Sequence, residues 1–183
     1  MKALFSCFVP ALVGLFALRP LASAQALRLG DGYFETYNKS DFSIWEPAET
    51  KGKAYVGLSA LAPFEGTSSL MIQAPAGAMV SVSIPLNPGI DATTLAFAIK
   101  GEVAEAKDAK LSLVSFNSEG GFKQVEFKPL MLSQDFRTEW REQSFDIHRA
   151  EGARQWQLNI TIEGPGVVWI DALKDSAAAS AAR

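Results

Sequence analysis

From Tyr33 onward the apolar residues recur at every second position in short runs, the period of a half-buried β-strand and not of a helical turn. Val80, Val82, Ile84 and Leu86 share one face, as do Leu95, Phe97 and Ile99, and then Val125 and Phe127. Trp156, Leu158, Ile160 and Ile162 continue the pattern, followed by Val168 and Ile170. Ser81, Ser83, Gln157, Asn159 and Thr161 fall on the opposite faces, so one side of each strand is wet, as in antiparallel sheets. Turn formers separate the runs: Pro63, Gly66, Pro75-Ala76-Gly77, Asn87-Pro88-Gly89, Asn117 to Gly121, Gly152 and Gly164-Pro165-Gly166. The spacing predicts roughly nine to eleven strands. Only Glu102 to Lys110 has helix-forming composition, and it is too short to be stable alone, so a loop or one helical turn is expected there. No strand-helix-strand crossover is visible, and the pattern predicts an all-β, two-sheet antiparallel β-sandwich of jelly-roll type.

The chain begins differently. Met1-Lys2 leads into an apolar stretch from Ala3 to Leu18, closed by Arg19-Pro20 and the small residues Ala22-Ser23-Ala24. This is the layout of a cleaved secretory signal over residues 1–24, and it is shorter than the twenty or so apolar residues that span a bilayer. A secreted or periplasmic location is expected, with no membrane span after cleavage. Residues 25–175 then form one domain, and 176–183 an Ala-rich tail with nothing to bury.

Charge and cysteine usage narrow the function. Seventeen basic residues stand against twenty acidic ones, a net charge of −3, and loss of Lys2 and Arg19 with the signal makes the balance two units more negative. Nothing here would wrap a nucleic-acid backbone, so nucleic acid is excluded as a partner. The one cysteine, Cys7, lies in the signal. Thiol catalysis, disulfides and cysteine-ligated zinc are therefore not expected in the exported domain, and its stability must come from a hydrophobic core.

Catalytic constellations are missing. The single histidine, His148, has no second histidine with which to share a metal or a proton relay, and it is read as a surface residue. No Gly-x-Ser-x-Gly elbow, phosphate loop or His-Glu-x-x-His occurs. Twenty carboxylates offer many pairs for glycosidase chemistry without singling one out. The chain is read as not an enzyme.

Phase also sorts the aromatic residues. Phe97, Phe127, Phe145 and Trp156 run with aliphatic neighbours and are assigned to the core. Tyr55 alternates with Ala54, Val56 and Leu58, Trp169 with Val168 and Ile170, and Trp45 stands opposite Phe42 and Ile44. These three rings point away from the core and are the candidates for stacking on a ligand, although the same rings would equally cover a sheet edge or pack under a loop. Gln124, Gln157 and Asn159 face away from the apolar sides and supply a candidate polar floor; a solvated face is the plainer alternative.

Gly30-Asp31-Gly32-Tyr33-Phe34-Glu35-Thr36 with Trp45 beyond it, Gly66-Thr67-Ser68-Ser69-Leu70, Thr138-Glu139-Trp140, and Val167-Val168-Trp169-Ile170-Asp171 occur in this order. Together they resemble the galactose-binding-like β-sandwich, in particular carbohydrate-binding modules of families four and nine. The resemblance implies a noncatalytic module that takes a polysaccharide or oligosaccharide partner through exposed aromatic and amide side chains. It also implies a structural calcium ion, with Glu35 of the first strand and Asp171 of the closing strand as matching ligands; Ala172, where a second aspartate is usual, departs from that pattern. Two other readings stand beside it: an envelope or extracellular structural domain with a protein partner and no sugar binding, and a small polysaccharide-active enzyme.

Overall fold

A computed structural model describes residues 34–36, 42–47, 51–117 and 123–177. Ten strands are present among them: β1 (Ser43–Trp45), β2 (Tyr55–Ser59), β3 (Ser69–Ala74), β4 (Met79–Pro85), β5 (Ala92–Glu102), β6 (Asp108–Asn117), β7 (Lys123–Leu132), β8 (Arg141–His148), β9 (Gln155–Glu163) and β10 (Gly166–Ala177). A three-residue 3-10 turn, Ser133–Asp135, is the one helical piece among the described residues. The proposed signal lies outside the described residues, and none of the described helices is long and apolar enough to cross a membrane.

The strands form two five-stranded antiparallel sheets, ordered β1-β4-β9-β6-β7 and β2-β3-β10-β5-β8. The chain shuttles between them: β3 hands over to β4, β5 to β6, β7 to β8 and β9 to β10 across the interior. That shuttling follows from the alternation, because each strand has one apolar side and only a facing sheet can cover it. Val80, Val82 and Ile84 of β4 and Leu158, Ile160 and Ile162 of β9 meet Leu70, Ile72, Leu95, Ile99, Val168 and Ile170 of the other sheet, all essentially free of solvent. Each such side chain contributes about 1.5–3 kcal/mol relative to exposure. The Trp156 ring closes one end, its Nε1–H donating to the Asn87 carbonyl at 2.9 Å.

One local expectation holds in part and two change. Glu102 to Lys110 is the end of β5, a tight turn in which the Ala106 amide donates to the Val103 carbonyl, and the start of β6. The turn carries the chain from one sheet to the other. The tail boundary drawn after residue 175 falls short, since Ser176 and Ala177 continue β10 opposite Thr94 and Thr93. Phe127 and Val125, assigned to the core, are exposed on β7. Two register irregularities in the β6–β7 ladder, at Leu111/Ser112 and Ser115/Phe116, add residues to β7 and break the alternation that the assignment relied on.

Candidate functional site

Residues directly paired across an antiparallel ladder point to the same side of the sheet. The registers of the first sheet therefore fix its outer face row by row. One row runs Trp45, Ser81, Thr161, Lys110, Leu132, and the next Ser43, Ser83, Asn159, Ser112, Pro129. A third runs Pro85, Gln157, Val114, Phe127, and the last Gln155, Phe116, Gln124. Serines, a threonine and amides thus occupy much of the middle of the face, while Trp45 on edge strand β1 and Phe127 with Leu132 on edge strand β7 stand at its margins. Trp45 is 56% exposed and Phe127 43%. The result is a face with exposed apolar side chains at its margins and a band of hydroxyls and amides on β4 and β9 between them.

That band is already wired. Gln157 Nε2 donates to Ser83 Oγ at 3.1 Å and to Asn159 Oδ1 at 2.9 Å, and the Ser81 and Thr161 hydroxyls are 3.0 Å apart. Amides and hydroxyls held by one another keep fixed directions, which is what oriented bonding to a polyhydroxylated ligand requires. Charge is confined to one end, where Lys110 pairs with Asp108 at 2.6 Å and Lys107 with Glu163 at 2.5 Å. The hydrogen bond that Lys107 donates to Glu163 raises the lysine pKa above its ordinary value.

Of the sequence-derived binding residues, Trp45, Gln124, Gln157 and Asn159 lie on this face. Tyr55 and Trp169 lie on the outer face of the other sheet, since Tyr55 pairs with Gln73, which pairs with Val167, and Trp169 pairs with Lys100 and Met71. The six residues are therefore divided between two faces that look in opposite directions. Trp169 does project outward as the alternation required, but it is only 8% exposed, which is a correction to its reading as an open stacking ring. The Lys100 ammonium sits 4.6 Å from the Trp169 ring centre and 4.9 Å from that of Trp140. Trp140 in turn donates to the Ala62 carbonyl at 3.0 Å and packs on Phe64. The Ser59–Ser69 connection thus lies against this cluster. Tyr55 is exposed, yet its hydroxyl bonds the Leu58 carbonyl of its own strand at 3.2 Å. Its ring lies along Gly57, where a Cβ would come within 2.6 Å of the Tyr55 oxygen.

Glu35 and Asp171 are brought to the same connection. Asp171 is fully buried; its Oδ2 accepts from the Phe64 and Glu65 amides at 2.9 and 3.0 Å, and its Oδ1 from the Ala172 amide at 2.7 Å. Ala172, whose amide makes that last bond, adopts a left-handed φ of 50°. Glu35 Oε1 accepts from the Thr67 amide at 2.8 Å, Oε2 bonds the Thr67 hydroxyl, and Ser68 Oγ donates to the Phe34 carbonyl at 2.6 Å. Glu35 itself lies in a bend preceding β1, not in a first strand. Carboxylate oxygens are the donor type that a hard divalent cation takes, but here both carboxylates already accept backbone amides or a hydroxyl of the connection. No group of three or more His, Cys, Asp or Glu residues is placed to hold a metal among the described residues.

Sequence reasoning missed Phe127, Ser81, Ser83 and Lys110 as parts of the first face. The serines were legible as the wet side of β4, but only the pairing of β4 with β9 and β1 places them beside Trp45.

No family model matches the sequence, and no curated protein does. Solved structures share the fold at low identity. A xylan-binding domain of family 22 from Paenibacillus barcinonensis Xyn10C superposes with a TM-score of 0.57 at 15% identity, over 86% of this chain and 99% of that one. A family 61 module solved in complex with β-1,4-galactotriose gives 0.52 at 14%, over 83% and 99%. The enzymatically active domain of tailspike protein 4 of bacteriophage CBA120 gives 0.59 at 15%, over 83% of this chain; the chain spans 21% of that domain. The fold is thus the β-sandwich that carbohydrate-binding modules use. The families that these structures name are 22 and 61, not four and nine.

Proposed function

We propose that this chain is a noncatalytic, exported module that binds a glycan on the outer face of its first sheet. The observation that carries this reading is the exposed Trp45 at one margin and Phe127 at the other, with the hydrogen-bonded Ser83, Gln157 and Asn159 between them. The flat rings offer faces to the C–H sides of sugar rings, while the amides and hydroxyls meet the sugar hydroxyls. Likeness to solved sugar-binding sandwiches supports the reading by fold only, since fold does not fix function. The finer likeness to families four and nine stays part of this proposal and rests on the motifs quoted above.

Export is proposed on the same footing, from the charged, apolar and small-residue order of residues 1–24. A structural calcium ion is proposed as well. Glu35 and Asp171 would hold it, and it would supply charge neutralisation where the Ser59–Ser69 connection meets the closing strand. A protein partner in the envelope is the competing reading.

Affinity electrophoresis of the purified chain through gels containing xylan, β-1,4-galactan or mixed β-glucan tests the function. Retardation in at least one gel, reduced by Trp45→Ala, is expected. Migration unchanged in every gel would remove the glycan reading in favour of the protein-binding one.

A further inference from the structure

At one side of the sandwich the sheets end in β7 and β8, and these edge strands are not paired with each other. Between them lies a slot of about 420 Å³. Arg141 pairs with Ile99, Gln143 with Phe97 and Phe145 with Leu95, and all three partners are core residues. Register therefore aims Arg141, Gln143 and Phe145 toward the interior side of their sheet, into the slot. Arg137 and Asp135 complete its polar lining, over a floor that includes Met131.

The charges in the slot are unequal. Asp135 is already engaged, its Oδ2 accepting the Leu132 amide at 2.8 Å. Arg137 is held by one nitrogen, Nη1, which donates to the Phe136 and Gln134 carbonyls at 2.7 and 2.5 Å. Its other two nitrogens make no bond, and Arg141 makes none at all, among the described residues. Neither arginine meets a carboxylate, whereas Arg149 is matched to Asp91. Inward-pointing charges on an edge strand also discourage edge-to-edge pairing. That role alone would not need two guanidinium groups and an amide around one concavity.

We propose that the slot binds an oxyanion, a carboxylate or sulfate carried by a small molecule, through Arg137 and Arg141 with Gln143 as a neutral partner. A guanidinium presents parallel N–H donors that match such groups in pairs, and the slot has the size of small-ligand sites. The source is either an acidic sugar, with its ring over Phe145, or a free oxyanion.

Isothermal titration calorimetry of the full chain with sodium glucuronate, sodium sulfate and glucose, at ionic strength matched with sodium chloride, tests this. Saturable binding of at least one anion is expected, weakened tenfold or more by Arg141→Gln and by Gln143→Ala to a smaller degree. Trp45→Ala leaves it unchanged, so this result stands or falls apart from the glycan face. Tighter binding of glucuronate than of sulfate identifies the acidic sugar, and the reverse a free oxyanion; either keeps the site. Arg141 is exposed at the start of its strand, so Arg141→Gln should melt like the parent. No saturable binding of either anion, glucose binding equal to that of glucuronate, or binding indifferent to Arg141→Gln would overturn the proposal.

Discussion

Trp45 and Phe127 stand on the two edge strands of one sheet, four strands apart and on the same face. At roughly 4.8 Å per strand the lateral distance between them is about 19 Å. A single sugar ring cannot touch both. The ligand that uses the whole face is an extended oligosaccharide running across the strands, and each ring contributes separately. Trp45→Ala and Phe127→Ala should each weaken binding about five- to tenfold, corresponding to roughly 1 kcal/mol of ring contact, and together about the product of the two. Titration with oligosaccharides of increasing length checks this, since monosaccharides should show no such additivity. Both rings are exposed, so the melting temperature should not move by more than a degree or two.

Trp169 should behave in the opposite way. Its ring is buried beneath Lys100 and beside the cluster of Trp140 and Phe64. Trp169→Ala should cost about 3–5 kcal/mol of stability, as large buried aromatics do, and leave glycan affinity intact wherever the variant is folded. Thermal denaturation beside affinity electrophoresis separates the two effects. Loss of glycan affinity in a folded Trp169→Ala variant would move the site to the second sheet.

The two tryptophans also show where the sequence is readable and where it is not. Alternation of Val168, Trp169 and Ile170 correctly sends the ring outward, because a strand's period is a local property. Whether an outward ring meets water depends on the Ser59–Ser69 connection, more than a hundred residues away in sequence, and no local pattern carries that. Phe127 fails for another reason: the irregular register of β7 opposite β6 changes the phase, so its kinship with Val125 said nothing about the core. Gln157 and Asn159 were readable as a wet face, while their union with Trp45 needed the strand order β1-β4-β9. Glu35 and Asp171 came from likeness to known motifs, and their convergence on one connection has no signature in periodicity.

Gly66 tests how tightly that connection is set. It adopts φ +63°, where side chains are disfavoured, and a Cβ there would lie 1.7 Å from Glu35 Oε1. Both faults act on the same contact between Glu35 and Thr67. Gly66→Ala should destabilise by roughly 1–3 kcal/mol, seen as a lower midpoint in urea at unchanged slope. A midpoint equal to that of the parent would mean that Glu35 swings away freely and does not fix the connection.

The ion pair of Lys107 with Glu163 predicts a modest dependence on alkaline pH. Because folding raises the lysine pKa above its ordinary 10.5, the pair's contribution is complete below that value. It is lost as pH climbs through the higher folded value. Both groups lie at the surface, so the gain is small. Melting temperatures of the parent and Lys107→Met should therefore differ slightly and constantly from pH 7 to 10, and converge above about pH 10.5. A gap that widens at alkaline pH would contradict the sign.

Asp171 separates two ways of tying the Ser59–Ser69 connection to the closing strand. Its carboxylate accepts three backbone amides while fully buried, so Asp171→Ala leaves those donors without an acceptor. The loss should be about 3 kcal/mol or more, a fall of roughly 6–12 °C for a domain of this size. That much follows with or without an ion. Calcium adds a second, separable quantity: an ion that binds only the folded chain stabilises it by about 2.7 kcal/mol at a hundredfold excess over its dissociation constant. If Glu35 and Asp171 hold calcium, millimolar calcium raises the melting temperature of the parent over that in chelator, and Glu35→Gln and Asp171→Asn each abolish the increment. Parent curves that coincide in calcium and in chelator would leave the hydrogen bonds as the whole of the tie.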